Sequence, residues 1–318
     1  MNCRYDFAPE LESPASGGQR AVLDAAIALH RAGRAFALAV VVEAEGSTYR
    51  KPGAVALVAD DGRRVGVISG GCLEAGLDVL GRDALVANAA CTTVFDTRRD
   101  DDLVFGSGSG CRGRMQVVAF PVRPGRSSAA FDVIVQAYAR RESAVLDLAR
   151  LAPNLFSTGH VEIHPPRTLL AFGAGPELPP LLRVARTLGW FTSVADHREG
   201  LPATEHVGDA DVVARARPAA ALRKLAGQRL DAAIVMSHRA DIDLEALAAL
   251  AASTIPYIGL LGPPARRDEL LARLGDDERA ALQRRLRAPV GLRLGGDGPE
   301  AIALAIAAEL QQEFQDVQ

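Results

Sequence analysis

The sequence predicts an α/β protein in two parts: an N-terminal α/β domain with a strand-rich mixed sheet, then a Rossmann-like, doubly wound parallel sheet. Three observations lead there. A chain of 318 residues is long enough for two domains that each bury a core. In the first half, short apolar runs are separated by loops rich in glycine and hydroxyl side chains. In the second half, the run Arg167-Thr168-Leu169-Leu170-Ala171-Phe172 enters Gly173-Ala174-Gly175 and then a helical pattern, the opening of a βαβ unit. The resulting division is 1–122, a connecting region 123–166, and 167–318.

The polar first 18 residues, rich in Pro, Ser and Gly, read as a loose arm. A helix over 18–32 follows, with Val22, Leu23, Ala26, Ile27 and His30 inward. Phe36–Glu43 is a buried strand that runs into Gly46-Ser47-Thr48-Tyr49-Arg50-Lys51, a loop of hydroxyls and cations. Val55–Val58 and Arg64–Ile68 pair across the turn Asp60-Asp61-Gly62. Ser69-Gly70-Gly71 then breaks the strand, and a helix with Leu73, Leu77, Leu80 and Leu85 on one face starts from Cys72. Strands at 92–95 and 115–120 flank the charged run 98–102 and a second glycine cluster, Gly106-Ser107-Gly108-Ser109-Gly110-Cys111-Arg112-Gly113. The stretch 127–167 carries a helix and a strand at 144–149. His160 and His164 fall on an extended segment, where positions four apart lie about 13 Å from one another. One ion cannot bridge them.

In the second half, strands at 191–195, 211–213, 232–236 and 256–261 alternate with helices at 218–227 and 243–252, which argues for a parallel sheet. An amphipathic helix at 299–314 closes it. Asp196 lies 23 positions after Gly173, where an acidic residue meets a ribose hydroxyl in dinucleotide-binding folds. The fingerprint is incomplete. Leu178 stands at the third glycine position, and Pro176 lacks the N–H that a pyrophosphate would use. Ser237-His238 closes the strand 232–236 at the carboxyl edge of the sheet, where such folds hold ligands.

Net charge is −3, which argues against non-specific nucleic-acid binding. No apolar run is long enough for a membrane span, and no signal peptide is visible. Four cysteines without a C-x-x-C are too few for a disulfide scaffold, so a reduced, cytoplasmic protein is expected.

The chemistry converges on the two glycine–cysteine loops. A glycine turn before a helix N-terminus presents free amides and partial positive charge, which attracts anions and favours a thiolate at Cys72. The second cluster places Cys111 beside Arg112 and Arg114. The expected ligand-contacting set is Ser47, Arg50, Ser69, Gly70, Gly71, Cys72, Gly108, Gly110, Cys111 and Arg112 in the first half. In the second it is Gly173, Gly175, Asp196 and His238. Zinc would need two further ligands that the surroundings of Cys72 do not offer.

These loops resemble the XdhC/CoxI family, accessory factors of xanthine dehydrogenase and related molybdenum hydroxylases. Ile68-Ser69-Gly70-Gly71-Cys72-Leu73-Glu74 is identical to the family's signature loop. Gly46-Ser47-Thr48-Tyr49-Arg50 resembles Gly-Ser-Ser-Pro-Arg, and Gly110-Cys111-Arg112-Gly113 resembles Gly-Cys-Gly-Gly. Phe172-Gly173-Ala174-Gly175, Pro289-Val290-Gly291-Leu292 and Pro299-Glu300-Ala301-Ile302-Ala303 match further family segments, Ser237-His238 resembles its Thr-His, and Tyr257-Ile258-Gly259 resembles its glycine–arginine segment. The resemblance implies a chaperone, not a turnover enzyme. It would bind molybdenum cofactor, as molybdopterin or its cytosine dinucleotide form, and deliver it to an apo-hydroxylase. It also implies molybdenum-proximal roles for the thiols of Cys72 and Cys111 and contact with a cysteine desulfurase. A homodimer is expected. The alternative is an NAD(P)-dependent oxidoreductase with His238 as acid/base, against which Leu178 and Pro176 count.

Overall fold

The computed structural model describes residues 18–98, 112–126, 128–198 and 207–315. The expected N-terminal arm, residues 99–111 and residues 199–206 lie outside them. The chain divides into two compact units, Met1–Pro165 and Pro166–Gln318.

The first unit runs α1 (Gly18–Arg31), β1 (Phe36–Gly46), β2 (Val55–Ala59), β3 (Arg64–Val65), α2 (Glu74–Ala87), β4 (Cys91–Asp96), β5 (Gly113–Val122), α3 (Ala129–Arg140), β6 (Ala144–Asp147), α4 (Leu148–Leu151) and β7 (His160–Ile163). Its main sheet has the order β3-β2-β1-β5-β4, and every pairing is antiparallel, so the expected mixed sheet is corrected. The alternation of β1 explains the layering, because successive side chains leave opposite faces. Phe36, Leu38, Val40 and Val42 pack in one core with α1 and α3, whereas Ala37, Ala39 and Val41 face α2. The α2 face is lined by small residues, with Ala54, Ala56 and Ala119 beside them, so the helix lies close. At Gly81 a Cβ would stand 2.6 Å from that of Val58.

Three expectations change here. The stretch 123–166 is more than a connection: Phe131, Ile134, Leu146, Val161 and Ile163 are buried in the α1/α3 core. Strand β3 ends at Val65, because Gly66 turns to φ +85° and a Cβ there would meet Val22 at 2.5 Å. In α1 it is Leu29 that is buried; His30 is exposed and rests edge-on against Phe131 at 5.2 Å.

The second unit runs β8 (Thr168–Phe172), α5 (Leu178–Thr187), β9 (Phe191–Asp196), β10 (Val212–Arg215), α6 (Pro218–Lys224), β11 (Ala232–Val235), α7 (Ala240–Ala251), β12 (Tyr257–Leu260), α8 (Pro264–Ala272), α9 (Asp276–Leu282), β13 (Leu286–Arg287) and α10 (Pro299–Gln315). The six strands are parallel in the order β10-β9-β8-β11-β12-β13, the doubly wound arrangement expected. The chain reverses its direction of travel across the sheet between β8 and β11, which opens a crevice beyond their carboxyl ends. Leu178 does not disturb this packing. It is fully buried against Leu181, Leu182 and the α10 side of the sheet. Helices α8 and α9 and strand β13 were not expected from the apolar pattern.

Candidate functional site

In the first unit, the sheet directs its loops. The end of β1, the starts of β2 and β5, and the ends of β3 and β4 share one edge, from which the loops 47–54 and 66–73 and the described ends of the 97–112 connection all emerge. The loops are tied together through the backbone. The Ser47 N–H donates to the Arg112 carbonyl at 3.2 Å, and the Thr97 hydroxyl donates to the Gly113 carbonyl at 3.0 Å. Gly113 has no room for a side chain, since a Cβ would lie 2.5 Å from the Ser47 carbonyl oxygen. The structure therefore brings Ser47, Arg50, Ser69–Cys72 and Arg112 to the same sheet edge. Gly108, Gly110 and Cys111 lie outside the described residues.

Arg50 is the outlying group in this cluster. Its side chain is partly buried, and among the described residues it has no hydrogen bond or ion pair. Burial pushes its pKa below the usual guanidinium value, opposed by nearby Tyr49. A desolvated cation without a counter-charge is costly, and a bound anion removes that cost. Among the described residues, neighbouring Lys51 bonds only the Thr48 hydroxyl, at 3.4 Å.

The Ser69–Cys72 turn departs from expectation. Helix α2 begins at Glu74, and its N-terminal end is already filled. The Glu74 carboxylate accepts from the Ser69 N–H at 3.1 Å, the Ser69 hydroxyl at 2.5 Å and the Leu73 N–H at 3.2 Å. Ser69 Oγ in turn accepts from the N–H groups of Gly71 and Leu73. Burial opposes the charge on Glu74, but the Ser69 hydrogen bonds and the Arg64 cation outweigh it and hold its pKa below the carboxylate norm. The turn is thus a self-satisfied structure with its own anion. Cys72 stands exposed two residues before the helix, so the helix-end argument for a thiolate there loses its premise. Among the described residues no group of three or more His, Cys, Asp or Glu is placed to hold a metal ion.

In the second unit, the structure brings Gly173, Gly175 and His238 together at the crevice. Gly173 has φ +104°, and a Cβ on it would meet Ser237 Cα at 2.5 Å. Over the turn lies a group that sequence reasoning missed. Glu177, buried, places Oε2 3.0 Å from His238 Nε2, and a Cβ on Gly175 would be 2.9 Å from either atom. A carboxylate thereby covers the glycine turn where a pyrophosphate would approach. The start of α5 is also short of donors: Pro176, Pro179 and Pro180 have no N–H, and the Leu178 N–H is bonded to the Gly175 carbonyl. The signal for Glu177 was its place two residues after Gly175, where a negative charge repels phosphate.

Asp196 does reach the turn, but as a brace. Its carboxylate accepts from the Ala174 N–H at 2.9 Å and takes the Arg198 guanidinium at 2.7 and 3.0 Å, while Arg198 also donates to the Ala174 carbonyl. Burial raises the cost of its charge, and these bonds more than offset it, so its pKa sits below the usual value. Arg198 is therefore engaged within the fold. Ser237 is likewise held from within, its hydroxyl donating to buried Asp243 at 2.5 Å, which pairs with Arg266 at 2.6 Å. His238 remains accessible, its side chain 51% exposed, on a left-handed backbone at φ +59°.

Against this geometry stand the similarities to known proteins. Residues 29–96 match the model of the XdhC and CoxI family, and residues 169–310 match the XdhC Rossmann domain. Over 311 residues the chain is 30% identical to a probable xanthine dehydrogenase polypeptide of Bacillus subtilis, covering 86% of this chain and 92% of that protein. It belongs to the XdhC/CoxI family. A crystal structure of a xanthine dehydrogenase from Bacillus halodurans, 28% identical, aligns with a TM-score of 0.75 over 93% of this chain and 96% of that one. The XdhC/CoxI match in the first unit includes Arg50 and the whole Ser69–Glu74 turn. The XdhC Rossmann match includes Glu177, Asp196 and His238. Among the described residues no helix is long and apolar enough to cross a membrane.

Proposed function

We propose that this protein is a xanthine dehydrogenase accessory factor that binds molybdenum cofactor in its first unit and passes it to an apo-hydroxylase. Arg50 carries the reading. A partly buried guanidinium with no anionic partner among the described residues fits the phosphate of a molybdopterin, which supplies the missing charge. Ser47, Lys51 and Arg112 emerge at the same edge and can add donors. Exposed Cys72 offers a thiol to the dithiolene–metal end of the cargo. The Ser69 and Leu73 amides are not the phosphate cradle in this reading, because Glu74 occupies them, and the Gly71 amide is bonded to Ser69 Oγ.

The relatives named as xanthine dehydrogenase proteins support a partner of that class. A cysteine desulfurase supplying the terminal sulfur, a homodimeric state and a cytoplasmic site of action complete the proposal. The oxidoreductase alternative is not favoured, since Glu177 and the three prolines oppose a pyrophosphate in the ordinary dinucleotide pose.

The test is pterin content after expression in a cofactor-replete host, read by fluorescence of the oxidised pterin. Arg50→Ala is expected to lower it at least about tenfold while the Tm holds or rises, because the variant removes an uncompensated, partly buried charge. Pterin-free wild-type protein, or equal content in the variant, would overturn the assignment.

A further inference from the structure

The opposite edge of the first unit's sheet carries a second feature. Where β5 ends and α3 begins, a cavity of about 380 Å³ is lined by Asn88, Arg123, Arg126, Ser128 and Arg150, with Phe120, Pro121 and Leu151 as apolar wall. Among the described residues that line it there is no Asp or Glu. Three guanidinium groups therefore share one cavity with no carboxylate among its described lining residues, an arrangement that favours an anion. This volume is at the lower end of small-molecule pockets, about 300–1,000 Å³.

Each cation is held differently. Arg123 donates through Nη2 to the Leu85 carbonyl at the end of α2, and its Nε is buried without an acceptor. Arg126 has no acidic partner among the described residues and is exposed at the rim. Arg150 is 90% exposed and only loosely paired, 3.5 Å from Asp147. Between them, Ser128 caps the 12-residue α3, its hydroxyl accepting from the Phe131 N–H, while Ala129 and Ala130 of the first turn line the cavity. The N-terminal end of that helix thus meets the cavity, while the acidic residue of its first turn, Asp132, is exposed and not among the lining residues. The Asn88 side-chain amide, at the close of α2, offers both a donor and an acceptor to a polar group beside the anion.

We propose that this cavity binds a small phosphate monoester of mononucleotide size. It is separate from the Arg50 edge, lying at the other end of the strands. The arginines and the α3 amides take the phosphate, the apolar wall takes the body of the ligand, and Asn88 reads a hydroxyl or heterocycle edge.

Titration calorimetry with adenosine 5′-monophosphate, cytidine 5′-monophosphate and inorganic phosphate tests it on the full chain. Wild type is expected to bind saturably, and Arg126→Ala/Arg150→Ala to bind at least about tenfold more weakly with unchanged circular dichroism. Both residues are exposed, so their loss spares the core. Arg50→Ala should bind within about twofold of wild type, which separates this cavity from the site of the proposed function, where pterin content is the readout. Tighter binding of a nucleotide than of inorganic phosphate identifies contacts to the ligand body and supports the proposal, whereas equal binding makes the anion alone the ligand and overturns the assignment of a monoester. Absence of saturable binding in wild type, undiminished binding in the double variant, or loss in Arg50→Ala would overturn the proposal.

Discussion

In the first unit the glycine turn at Ser69–Cys72 is closed by Glu74, and in the second the glycine turn at Gly173–Gly175 is closed by Glu177; the two closures differ in what holds each carboxylate. Glu74 is bound three times by its own loop, from Ser69 and Leu73, so turn and carboxylate form one unit. Glu177 meets a side chain from a different strand end, His238, which is half exposed. The first arrangement is a folded corner. The second is a lid made of one carboxylate and one imidazole. Glycine before a helix therefore does not by itself announce a ligand, because the chain can supply the anion itself.

Three substitutions test that contrast, from the largest effect to the smallest. Gly173→Ala should cost about 2–4 kcal/mol in denaturant unfolding, since φ +104° strains any side chain and the new Cβ strikes the Ser237 backbone. A cost below about 1 kcal/mol would mean that the turn relaxes freely. Glu74→Ala should cost about 1–3 kcal/mol by leaving the Ser69 N–H and hydroxyl without their acceptor. The pH dependence follows from the lowered folded pKa of Glu74. Its contribution is complete above the unfolded value of about 4.3 and is lost as pH falls through the lower folded value. Wild type and Glu74→Ala should accordingly converge in Tm in strong acid. Glu177→Gln keeps the shape and a hydrogen bond to His238, so stability should change by less than about 1 kcal/mol. Calorimetry should then detect pyrophosphate binding that wild type lacks; no gain would show that the prolines, not the charge, close the crevice.

The sequence made the second unit legible, because parallel strands buried on both faces read as unbroken apolar runs between glycines. Short or polar elements escaped it. Strand β13 has two residues, and α8 and α9 are surface helices rich in charge. In the second unit, the positions of Gly173 and His238 at the carboxyl edge of the sheet were legible because turns have local chemistry. The roles of Glu74, Glu177, Asp196 and Asp243 were not, because which partner satisfies a buried carboxylate is decided in three dimensions. Asp196 looks like a ribose ligand by its spacing, and the Ala174 N–H and nearby Arg198 divert it. Residues 123–166 read as a linker because their apolar positions are sparse, although Phe131, Ile134, Val161 and Ile163 suffice to anchor them.

The alanine-lined face beneath α2 sets a dimension. Ala37, Ala39, Ala54, Ala56 and Ala119, together with Gly81 against the Val58 side chain, let that helix lie close to the sheet. Glu74 and the turn it closes ride on the first residues of the same helix. The position of the sheet-edge loop is thus gauged by methyl groups at the other end of a lever. One added methylene at Ala39 or Ala56 would be felt at Cys72 as a displacement, with no residue of the loop itself having changed.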